Sequence, residues 1–119
     1  MEWHEAVIDV FTGAVDECYH AAMLPRSVTS PEQYLLWMEY PHEDMMADGK
    51  HTETKVRGTA DLYTLTEFDP IIKTIESAME NSGFMAWRMS YIDHEDNTGY
   101  WHYEWEWEAA GWQGYVLRA

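Results

Sequence analysis

Between Trp3 and about His20 the apolar positions recur at helical spacing. Val7, Val10, Phe11, Ala14, Val15 and Cys18 fall on one stripe, with Asp9, Asp16 and Glu17 turned away. The pattern predicts an amphipathic helix over this span, weakened at Gly13 by about 1 kcal/mol relative to Ala. Pro25, Ser27, Ser30 and Pro31 then mark a loop. Gln33 to Tyr40 (QYLLWMEY) is apolar at nearly every position, which predicts a strand buried on both faces and ended by Pro41.

The period changes to two from His51 to Thr64. Thr52, Thr54, Val56, Gly58, Ala60 and Leu62 lie on one face, and His51, Glu53, Lys55, Arg57, Thr59, Asp61 and Tyr63 on the other. This predicts a long antiparallel strand with one wetter face, entered through the acidic turn His42 to Gly49 and its Asp48-Gly49 hairpin signal. Small Gly58 and Ala60 on the inner face predict close approach of a helix, or a bulge. Asp69-Pro70 reads as a helix start, Ile71, Ile72, Ile75, Ala78 and Met79 as its buried stripe, and Gly83 as its stop.

Phe84 to Asp93 and Tyr100 to Glu108 predict a hairpin around the polar turn His94 to Gly99. Trp101, Tyr103, Trp105 and Trp107 share one face of its second strand; His102, Glu104, Glu106 and Glu108 share the other. The elements add up to an α+β fold: a four-stranded, mainly antiparallel sheet with two helices packed on one face. Residues 1–109 are expected to form a single domain and residues 110–119 a C-terminal arm carrying Trp112 and Tyr115.

Composition adds two facts to this outline. Seven Trp and eight Tyr in 119 residues exceed what one small core requires, and aromatic side chains are enriched at protein interfaces. The formal charge is -15, from seven Lys and Arg against 22 Asp and Glu. Tight sequence-independent binding to nucleic acid needs cations on the phosphates, so DNA is repelled, and no polybasic patch addresses an anionic membrane. Cys18 is the only cysteine, which excludes an intrachain disulfide and a Cys-pair zinc site. Glu2, His4 and Glu5 interrupt any early apolar run, and no stretch approaches the roughly 18 apolar residues of a membrane span. The chain is expected to fold in cytoplasm.

Candidate chemistry is sparse. No zinc-protease helix motif, phosphate loop, nucleophile elbow or dinucleotide fingerprint occurs. His42-Glu43-Asp44 and His94-Glu95-Asp96 hold metal-ligating residue types, but adjacent ligands on a turn converge poorly, and solvated turns are the simpler reading. Same-face carboxylates in Glu104, Glu106 and Glu108 would stand roughly 6–7 Å apart at two strand rises, which overlaps glycosidase spacing. So short a chain leaves little wall for a sugar cleft, and a solvated or channel-facing acidic face is favoured. The Trp101 to Trp107 stripe reads first as core, with an interface or a ligand-stacking platform as alternatives. No enzyme, cofactor or metal is expected.

The stretch Tyr34 to Glu108 resembles the tail terminator, or tail-completion, proteins of tailed bacteriophages. The features that carry the resemblance are LLWMEY, then ADGKHTETKVRGTADLYT with its DLYT strand end, the helix IIKTIESAMENSG, the YIDHED hairpin and the closing YEWEWE strand. It implies a structural subunit without catalytic residues that forms a ring, typically hexameric. Such a ring caps the tail-tube protein, docks the head-closure protein, and lets DNA pass without gripping it. The expected location is the virion tail or neck, after assembly in the host cytoplasm. Glu104, Glu106 and Glu108 would then contribute an acidic channel face. Asp93, His94 and Glu95 of the hairpin, with Trp112 and Tyr115 of the arm, would make subunit contacts. A head-closure, adaptor or minor capsid protein is the alternative within this class, and a small acidic inhibitor that mimics DNA is the alternative outside it.

Overall fold

The computed structural model describes residues 3–28, 31–40 and 55–110. The elements are α1 (Trp3–Ala14), β1 (Cys18–His20), β2 (Gln33–Glu39), β3 (Lys55–Thr64), α2 (Ile71–Asn81), β4 (Met85–His94) and β5 (Trp101–Ala110). The strands form one sheet in the order β1-β2-β3-β5-β4. Its neighbours are antiparallel except β1, which runs parallel to β2 with Cys18 opposite Leu35 and His20 opposite Trp37.

The fold is thus α+β with two helices and a five-stranded mixed sheet, where four strands were expected. The extra strand is the end of the expected first helix. Cys18 continues the apolar stripe of Val15 and Ala14, so the sequence pattern runs past the real helix end. The helix stops at Ala14, directly after Gly13, and the Leu35 N–H bonds the Glu17 carbonyl at 2.8 Å to start the parallel ladder. Cys18 and Tyr19 then point to opposite sides of the sheet, as strand residues must. At the other end β5 runs through Ala110, paired with Lys55, so the first residue of the expected arm belongs to the sheet.

Both helices cover the same face. Val7 and Phe11 of α1, and Ile75 and Met79 of α2, pack on Leu35, Trp37, Val56, Leu62, Tyr103, Trp105 and Trp107 in one core. Phe11, Trp37 and Trp107 form an aromatic triangle with ring centroids 5.7–6.2 Å apart. Two indole N–H groups pin α2 to the sheet: Trp105 Nε1 donates to Glu76 at 2.9 Å and Trp87 Nε1 to Glu80 at 3.2 Å. The aromatic stripe of β5 is therefore core, with Tyr103, Trp105 and Trp107 buried and Trp101 half-buried against the same cluster.

Gly58 serves this core, though not by admitting a helix or forming a bulge. The registers of β3 with β2 and with β5 run through it without a shift. A Cβ there would lie 2.7 Å from Trp107 Cζ2 and would collide with the Met38 carbonyl oxygen, so its hydrogen makes room for a tryptophan and a neighbouring strand.

Asp69 joins three elements. Its Oδ1 accepts the Ile71 N–H at 3.0 Å at the start of α2, and its Oδ2 accepts Thr64 Oγ1 at 2.6 Å and Gln33 Nε2 at 2.8 Å. Burial alone would raise its pKa, but these three bonds outweigh it and hold the carboxyl below its ordinary range. Gly83, at φ +82°, ends α2 where the sequence predicts.

Candidate functional site

Among the described residues no helix covers the second face of the sheet, and the polar positions of β3, β4 and β5 converge there. Toward β2 the face is aromatic: Tyr34 stacks on Tyr63 at 4.9 Å, and Tyr100 meets both edge-on while its hydroxyl donates to the Pro31 carbonyl at 2.6 Å. At its centre stands a cluster of titratable groups. His102 Nε2 lies 2.7 Å from Asp61 Oδ1, with its ring stacked on Tyr63 at 4.3 Å and edge-on to Tyr91 at 5.2 Å.

Glu104 faces Asp61 directly across the β3–β5 pair, and Ser90 Oγ donates to its Oε1 at 2.9 Å. Burial first, and then the adjoining Asp61 carboxyl, raise the Glu104 pKa against the opposing bond from Ser90. A register shift between Met89 and Tyr91 makes this arrangement possible. It sets Tyr91 opposite Glu104 and Asp93 opposite His102 on the open face, and turns Ile92 and His94 to the helix side.

Ser90, His102 and Asp61 are residue types that a nucleophilic relay uses, but the connectivity differs from one. The Ser90 hydroxyl gives its hydrogen bond to Glu104, while the imidazole is engaged with Asp61. Burial pushes the Cys18 thiol up to about 11, which keeps it protonated at neutral pH.

Beyond the cluster the open face becomes mixed in charge. Arg88 Nη2 pairs with Glu106 at 2.7 Å and Lys55 Nζ with Glu108 at 3.3 Å. The expected acidic row of Glu104, Glu106 and Glu108 does share one face, but two of its three members carry a cation partner. A pocket of about 410 Å³ opens at this end, lined by Tyr40, Arg57, Ala86, Trp87, Arg88, Glu106, Trp107 and Glu108. Arg57 stands opposite Glu108 in the register, yet makes no ion pair among the described residues, while Lys55 pairs with that carboxylate. The two helices are acidic as well: Glu5, Asp9, Glu76 and Glu80 outnumber their one base, Lys73.

The hairpin residues Asp93, His94 and Glu95 do not form one patch. Asp93 lies on the open face; His94 packs on Trp101 at 4.7 Å on the opposite side. Glu95 belongs to the turn, where Thr98 Oγ1 donates to its Oε1 at 2.9 Å. His94 Nδ1 approaches Asp96 Oδ1 at 3.2 Å, and among the described residues no three groups of metal-ligating type converge. Trp112, Tyr115 and His42-Glu43-Asp44 lie outside the described residues. Asp61, His102, Arg57 and Arg88 are the site residues that sequence reading did not single out. Alternation placed Asp61 and Arg57 on one wet face, but only the pairing of β3 with β5 joins them to His102 and Glu108.

No helix of the described residues is long and apolar enough to cross a membrane. No protein-family model matches the chain, and no curated protein sequence matches it either.

Proposed function

We propose that this chain is a structural subunit that assembles with copies of itself into a ring, as tail terminator proteins of tailed bacteriophages do. The observation that carries the reading is the asymmetry of the sheet. Among the described residues one edge is the three-residue β1, whereas the other is β4, ten residues long with a single neighbour and with Tyr91 and Ile92 exposed. A long unpaired edge is a template for association, and a head-to-tail contact between unlike surfaces closes into a ring when its rotation allows. The resemblance of Tyr34 to Glu108 to the tail terminator family supplies the specific assignment: a ring, hexameric in this proposal, between the tail-tube protein and the head-closure protein. A head-closure or adaptor protein is the second choice within the same neck.

In such a ring the acidic surface keeps passing DNA from adhering. Glu104, with Asp61 and Asp93, supplies the uncompensated charge of the open face, since Arg88 and Lys55 offset Glu106 and Glu108. The chain itself performs no catalysis in this account and takes no cofactor or metal.

The test is to add the purified protein to its polymerising tail-tube protein and image the tubes by electron microscopy. Tubes arrested in length and closed at one end by a ring are expected. Tubes that grow unchanged, with no added density at either end, would overturn the terminator assignment.

A further inference from the structure

We infer that the pocket around Arg57 receives the β4–β5 turn of a second copy of this chain, with Asp96 as the group that enters it. The inference rests on the ring reading above and names the two surfaces that meet.

The receiving side is unusual for so acidic a protein. Arg57 and Arg88 stand within one concavity of about 410 Å³, which Tyr40 also lines. Arg88 is engaged by Glu106 and Lys55 by Glu108, which leaves the Arg57 guanidinium without an ion pair among the described residues. Its planar fork of donors suits a carboxylate held in two parallel hydrogen bonds. Tyr40 offers a neutral hydroxyl donor beside it: burial, then the charges of Glu106 and Glu104, keep its proton on.

The entering side is a narrow, fixed projection, which a concavity requires and a broad helix surface does not provide. The turn is closed by Glu95 N–H to Tyr100 O and Gly99 N–H to Glu95 O, both at 2.8 Å. The Asp96 side chain at its tip is fully exposed, with His94 Nδ1 at 3.2 Å. A carboxylate on an ordered turn loses little conformational freedom on docking. Charge complementarity calls for an exposed carboxylate on a narrow projection, and in the ring proposed above each neighbouring copy presents one at Asp96.

Pocket and turn lie at opposite ends of the β4–β5 hairpin. From Tyr100 to Trp107 is seven strand rises, roughly 23 Å. The contact is thus between unlike surfaces, and repeating it propagates head to tail, as a ring needs.

The experiment is a charge exchange read by light scattering and sedimentation velocity. Arg57→Glu alone and Asp96→Arg alone are each expected to weaken assembly on the order of 100-fold, since like charges are then opposed at a contact. The double variant, and an equimolar mixture of the two single variants, are expected to recover the assembled mass, which also shows that each variant folds. If the wild type assembles and both single variants assemble as well as it does, this contact is wrong and the ring reading stands. If both fail and neither the double variant nor the mixture recovers, the pairing is wrong. A wild type that stays monomeric overturns the ring reading and this contact together. Binding of a single-stranded oligonucleotide that Arg57→Glu abolishes, with assembly unchanged, would assign the pocket to a phosphate and overturn the inference.

Discussion

Trp107 occupies the space that a side chain at residue 58 would need: its Cζ2 lies 2.7 Å from where a Cβ on Gly58 would stand. The opposite side of that position is blocked by the backbone of β2, which cannot yield as a flexible side chain would. Gly58→Ala is expected to destabilise the fold by about 3 kcal/mol, the upper range for overpacking a core. A urea midpoint lowered at unchanged slope is the expected result. An unchanged midpoint would show that β2 and β3 can separate at no cost.

The tryptophans of β4 and β5 also hold α2 by hydrogen bonds, which separates their polar role from their bulk. A double-mutant cycle between Trp105→Phe and Glu76→Ala should give a coupling of about 1 kcal/mol for the Trp105–Glu76 bond. Additive losses would mean that Trp105 contributes by packing alone.

Two carboxyl groups make opposite contributions to the pH dependence of stability. Asp69 has its folded pKa lowered, so its stabilisation is complete above the unfolded value near 3.8 and is lost as pH falls through the folded value. Asp69→Asn should therefore be less stable than the parent at neutral pH, with the difference shrinking below pH ~4. Glu104 has its folded pKa raised, so the native state takes up a proton first. Its cost is present above the folded value and is relieved as pH falls toward the unfolded one. Glu104→Gln should raise the thermal midpoint at neutral pH and have little effect in acid. Thermal melts of both variants from about pH 3 to about pH 8 check both signs.

Salt should strengthen self-association of the wild type. Copies with a formal charge of -15 repel one another over a Debye length, and that repulsion is screened more strongly than a close, partly desolvated ion pair. Sedimentation at ionic strengths from about 0.01 M to about 0.15 M, where the Debye length falls from about 30 to about 8 Å, should show assembly increasing. A steady decrease would mean that attraction between exposed charges dominates the contact.

Lysine substitution at Glu104, Glu106 and Glu108 together should slow DNA passage in assembled particles, because it would turn the open face cationic. Most of the effect is expected from Glu104, since the other two already carry cation partners. Unchanged ejection would remove this face from the channel.

Long periodic segments were legible in the chain, and short or cross-paired features were not. The period of two in β3 and β5 and the stripe of α2 define faces without knowledge of their neighbours, so the core tryptophans and the acidic row emerge directly. β1 has three residues, too few to show a strand period, and Cys18 imitates a further helical turn. The Asp61–His102 pair joins residues 41 positions apart through strands that are not consecutive in the chain, so no local pattern reveals it. The Lys55–Glu108 pair is hidden for the same reason, and the Arg88–Glu106 pair because alternation does not set the register of the hairpin. Alternation shows that these carboxylates share a face but not that Arg88 and Lys55 meet them there.

We propose that copies of this chain assemble through unlike surfaces into a closed ring. Light scattering of the purified protein, across concentration and salt, tests it most directly. A discrete mass near six times 14.0 kDa that does not grow with concentration is the predicted result. A mass of 14.0 kDa at every concentration and salt would contradict it.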